Sequence, residues 1–146
     1  MTVDAALAAV GHLVGLGAPL RAGDIPKIER RVGFQLPSEL AAFYIRANGT
    51  TTHTPAENGW TRLWMAEEWK AVRTLGYGAL YSNVGDAAVI ADYSLESWWY
   101  AVSSAGAVHI VDGLHPSRVV AETFLDFVRM IVQDEEGIYP CDQKAG

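Results

Sequence analysis

Three runs with strand character follow one another between residues 87 and 112 of this chain: Ala87–Tyr93, 97–103 and 107–112, rich in Val, Ile, Trp and Tyr. Three residues separate each run from the next. Connections that short join antiparallel neighbours, because a parallel pair needs a crossover of a dozen or more residues. The stretch predicts an antiparallel meander, and what stands on either side of it is helical. The order of helices, central meander and closing helix defines an α+β fold class rather than an alternating βαβ one.

On the N-terminal side, Thr2 is placed to cap a helix whose apolar positions Val3, Ala6, Leu7, Val10, Leu13 and Val14 recur at three- and four-residue spacing. Asp24 is a second cap candidate, followed by Pro26 in the first turn, Ile28 and Val32 on one side and Gly33 as the stop. Leu36-Pro37-Ser38-Glu39 opens a third helix with Leu40, Phe43, Tyr44 and Ala47 inward, and Asn48-Gly49 ends it. Residues 50–60 read as an exposed loop, 61–65 as a short strand, and 66–75 as a helix with Trp69 and Val72 inward. After an interruption at Pro116-Ser117, the positions Phe124, Phe127, Val128, Ile131 and Val132 follow helical spacing, so a final helix is expected to cover one face of the sheet. Residues 137–146 carry no periodicity and read as a loose tail.

The chain's 146 residues suit one domain, and half of them are apolar, enough for a sizeable core. Charge is unevenly placed. Residues 1–73 hold eight Lys/Arg against seven Asp/Glu, and residues 74–146 hold three against ten, so the net charge of −6 belongs to the second half. No basic stripe is present to displace phosphate counterions, which argues against a nucleic-acid partner and for a basic one. Cys141 is the sole cysteine, which excludes an intramolecular disulfide or a cysteine metal cage and favours a reducing, cytoplasmic setting. The N-terminal apolar stretch has no preceding basic residue and is broken by Asp4, Gly11, His12, Gly15 and Gly17, so neither a signal peptide nor a membrane span is expected.

Enzymatic signatures are weak throughout. His109, Asp112 and His115 come nearest to a metal set, but strand alternation puts His109 and Asp112 on opposite faces, so no metal is expected. Gly15-x-Gly17 and Gly76-x-Gly78 lack the strand, helix and third glycine of a phosphate cradle, so no cofactor is expected. No Gly-x-Ser-x-Gly elbow occurs, and no catalytic residue is assigned. Glu67 and Glu68 are adjacent on an expected helix, about 100° apart, and do not face one reacting atom.

More informative are Asp92, Tyr93, Glu96, Trp98, Trp99 and Tyr100, six aromatic or acidic residues within nine positions. On a strand, Trp98, Tyr100 and Val102 take one face while Trp99, Ala101 and Ser103 take the other. Either the last helix covers one set and leaves the other tryptophan on an open face, or the first helices cover the second face and both are core. Large aromatics flanked by charge are the material of protein-binding hot spots. The candidate partner-binding residues are therefore Asp92, Glu96, Trp98, Trp99 and Asp112, with Glu67 and Glu68 at the rim.

The segment IPKIERRVGFQLPSELAAFYIRANG resembles the opening signature of the SUKH superfamily, the Smi/Knr-like proteins. Ile28, Glu29, Gly33, Leu36, Pro37, Glu39, Phe43, Asn48 and Gly49 carry the likeness. Downstream, VIADYSLESWWYAV resembles the family's central hairpin and VVAETFLDFVRMIV its final helix, so the likeness spans residues 24–134 of a single domain. The resemblance implies a non-enzymatic immunity protein that binds and neutralises a cognate bacterial toxin in the cytoplasm. Many such toxins are nucleases with basic clefts. Two alternatives stay open: a regulatory protein-binding scaffold without a toxin partner, and a hydrolase using Asp92 and Glu96.

Overall fold

The computed structural model describes residues 1–51, 61–94 and 96–140. Most of the loop expected over 50–60, with His53, lies outside them, as do Leu95 and residues 141–146 with Cys141. The described chain is an α+β fold in which four α-helices accompany a six-stranded antiparallel sheet.

Local chemistry explains the helix ends. Helix α1 (Val3–Leu13) begins where the Thr2 hydroxyl accepts the Ala5 N–H at 3.1 Å. For α2 (Asp24–Val32) the cap is Gly23 rather than Asp24; the Asp24 carboxylate instead accepts the Arg21 N–H and tightens the entering turn. Gly33 ends α2 at φ +93°, where a side chain would be strained. Helix α3 (Ser38–Arg46) stops two residues before the expected Asn48-Gly49, at an extended Ala47. Thr123 caps α4 (Phe124–Gln133) by accepting the Asp126 N–H at 3.1 Å.

The strands are β1 (Thr61–Leu63), β2 (Lys70–Ala71), β3 (Ala87–Tyr93), β4 (Trp98–Ser103), β5 (Val108–Val111) and β6 (Arg118–Ala121). They run in the order β1-β3-β4-β5-β6, with β2 also paired to β3. The meander is as expected, but β6 is an added strand, formed where the chain turns back after Pro116. Residues 66–75 are not the expected α-helix. Two 3-10 turns, Ala66–Glu68 and Val72–Thr74, flank β2, whose pairing with Val89 and Ala88 draws the backbone onto the sheet. Trp69 and Val72 are buried all the same.

Both faces of the sheet are covered in part. Helices α1, α3 and α4 pack together over one face, with Phe43 against Phe124 and Phe127 against Tyr100 at centroid separations of 5.3 and 4.8 Å. Residues of the following 3-10 segment, Gly78–Val84, bury Tyr81 and Val84 beside the other face. The expected tail is docked at its start: Ile138 is 1% exposed, and the Tyr100 hydroxyl donates to its carbonyl at 2.7 Å. That hydrogen bond and the Tyr139 ring edge-on to Tyr93 hold residues 138–139 where no periodicity announced them.

Candidate functional site

Strand register determines the site. Arg62, Asp92, Trp99 and Val111 are direct partners across four strands, so their side chains share one face. Tyr100, the neighbour of Trp99, meets Phe127 of α4, so the Trp99 row lies on the face away from α4.

Trp98 is thus a correction to the candidate set. It is buried on the α4 side, stacked on Tyr93 at 4.4 Å, and its Nε1–H donates to the Tyr100 hydroxyl at 2.8 Å. Asp92 is a second correction. At 1% exposure its carboxylate cannot meet a partner: Oδ1 accepts from Trp64 Nε1 at 2.7 Å and Oδ2 from the Glu96 backbone N–H at 2.6 Å. The Glu96 group that meets Asp92 is its backbone N–H and not its carboxylate.

Of the remaining acids, Glu67, Glu68 and Glu96, but not Asp112, line an open groove of about 450 Å³ together with Arg62, Trp64, Trp69 and Lys70. Each wall has a structural cause. Arg62 grips both Glu68 oxygens at 3.0 Å, and its Nε lies 3.6 Å from Asp92. These bonds hold the Glu68 carboxyl below the usual carboxylate range, against the opposing push of partial burial. Asn48, placed by the end of α3, accepts the Ala66 N–H at 2.7 Å and donates to Glu67 at 3.0 Å. Arg31 of α2 donates to the carbonyls of Ala66 and Trp69, fixing the same segment from beneath. Arg62 and Lys70 stand over the Trp64 ring at 5.9 and 5.6 Å.

On the other wall, Glu96 is exposed and accepts the Trp99 Nε1–H at 3.2 Å. Trp99 is half-buried, with Tyr77 leaning over it at 6.4 Å. Asp112 follows Val111, the register partner of Trp99, and so stands at the same end of the sheet. It caps its turn by accepting the N–H groups of Leu114 and His115 at 2.9 Å and pairs with the His115 ring at 2.8 Å. Partial burial pushes its carboxyl up, but the His115 ring and those N–H groups outweigh it and hold it below the usual range. His109 is apart, half-buried beside Ser117, and burial lowers its pKa. Among the described residues no three His, Cys, Asp or Glu side chains converge to hold a metal ion, and no helix is long and apolar enough to cross a membrane.

Sequence reasoning missed Arg62, Trp64 and Asn48. Arg62 and Trp64 stand two apart in the 61–65 run, and that alternation marks one strand face. Asn48 has the local signature of a helix stop, and nothing local announces its reach to Ala66 and Glu67. No protein-family model matches the chain, and no match is found among curated proteins.

Proposed function

We propose that this chain is a protein-binding module of the SUKH kind: an immunity protein that binds and neutralises a cognate, basic, nuclease-type toxin in the cytoplasm. One observation carries the reading. Trp99 stands half-buried on the face away from α4, bonded to an exposed Glu96 that walls a groove also lined by Glu67 and Glu68. An aromatic anchor beside carboxylates suits a partner that offers basic and apolar groups together. The net charge of −6 adds long-range attraction for such a partner. The order of elements required by the sequence resemblance is also the order of the fold.

The test begins with the open reading frames next to this chain's gene, one of which, on this reading, should encode a toxin domain. Co-expression should protect cells from it, and surface plasmon resonance should detect a complex. Trp99→Ala should weaken binding at least about thirtyfold, chiefly through faster dissociation. Absence of protection, or a Trp99→Ala variant that binds as tightly as the parent, overturns the proposal.

A further inference from the structure

The β3–β4 turn is bent in a way its residues do not favour. Ser94 and Glu96 hold φ of 42° and 60°, the left-handed region that non-glycine side chains seldom occupy. Such a conformation persists only where surrounding bonds enforce it. Ser97 closes the turn locally, its N–H donating to the Tyr93 carbonyl at 2.9 Å and its hydroxyl to the Ser94 carbonyl at 2.8 Å. The bond that ties the turn to the rest of the sheet is made by the buried Asp92 carboxylate, which takes the Glu96 N–H on one oxygen and the Trp64 indole N–H on the other. Through Trp64 it is tied to the segment after β1, and through Arg62 it stands next to the clamp on Glu68. Glu96 in turn accepts from Trp99. Both walls of the groove therefore meet at one side chain that no partner can touch.

We infer that Asp92 is a positioning residue: its carboxylate ties the β3–β4 turn to the segment after β1 and so sets where Glu96 and Trp99 stand opposite Glu68. The inference rests on the reading of the groove as a binding site. Asparagine has the same shape as aspartate, but its amide NH2 has to face one of two donors, Trp64 Nε1–H or Glu96 N–H. One of the two hydrogen bonds is then lost and a donor meets a donor.

Hydrogen exchange of the free protein, followed amide by amide by NMR, tests this without a partner. In the parent the Glu96 amide, although on an exposed residue, should exchange at least about a hundredfold more slowly than an unstructured amide. Asp92→Asn should speed it at least about tenfold and move the Trp99 indole N–H resonance, while Val102 and Phe127 keep the protection set by the variant's own global stability. Trp64→Phe, which removes the other donor and leaves the Glu96 bond, should keep the Glu96 amide slow. Fast exchange of Glu96 in the parent overturns the inference, as does an Asp92→Asn variant whose Glu96 amide and Trp99 resonance are unchanged or whose amides all lose protection together. Should Asp92→Asn not fold, the parent and Trp64→Phe measurements decide it alone. Failure of the parent to bind the adjacent toxin removes the proposed function and leaves these outcomes untouched.

Discussion

Alternation along β4 sends Trp98 and Trp99 to opposite faces, and their substitution should have opposite consequences. Trp98 is packed on Tyr93 and starts a hydrogen-bond chain through Tyr100 to Ile138. Trp98→Ala should cost about 3–5 kcal/mol in chemical denaturation, the scale of a large aromatic removed from a core. Trp99→Ala should leave most of that stability and lose affinity instead; a pair of variants equally destabilised, with unchanged affinity in the folded fraction, excludes the anchor role. His109 offers a pH test. Burial lowers its folded pKa below the ordinary 6.5, so between the two values the unfolded chain binds the extra proton. Its contribution is whole above about pH 6.5 and is lost as pH falls through the folded pKa. Urea midpoints measured from pH 7.5 down to 5 should fall less steeply in His109→Gln than in the parent; equal slopes show that the ring does not carry the effect.

At the scale of elements, α4 and the segment after α3 hold the site in place from different sides. Phe124, 1% exposed, packs edge-on to Phe43 and joins α4 to α3. Phe124→Ala should cost about 3–5 kcal/mol, and Thr123→Ala about 1 kcal/mol through the lost cap. A loss below about 1 kcal/mol for Phe124→Ala would contradict this packing. Gly49 matters through approach rather than as a helix stop. It sits at φ +77°, and a Cβ there would lie 2.6 Å from the Trp64 carbonyl oxygen. Gly49→Ala should therefore push residues 47–51 off the strand edge and cost more than about 2 kcal/mol by thermal or chemical unfolding. Because Asn48 moves with it, Glu67 should shift as well, which the Ala66 amide resonance would report.

For the whole molecule, the net charge of −6 makes association the property to measure. Carboxylates at the groove rim attract a basic partner from a distance that salt shortens, to about 10 Å at 0.1 M. Stopped-flow association with the toxin domain should slow at least about tenfold between ~0.05 and ~0.5 M salt. Glu96→Gln and Glu67→Gln should flatten that dependence while changing dissociation little. A rate indifferent to salt assigns recognition to contact chemistry alone.

Periodicity and capping are local, so the elements they govern were legible in the residues. Thr2, Gly33, the meander and the Phe124 face of α4 follow from spacing and from the φ freedom of glycine. The Trp98 and Trp99 alternation was legible too, but not which face α4 would cover. Only tertiary contacts decided the rest. Strand β2 replaced a helix because β3 offered its backbone partners, β6 formed because β5 had an open edge, and Ile138 docked because Tyr100 needed an acceptor. Asp92 looks in sequence like any acid beside a turn, and it became a buried hub only when β1 brought Arg62 and Trp64 alongside. A residue's own neighbours in the chain fix its backbone preference and the side it faces, whereas its burial and its partners belong to whatever folding packs against that side.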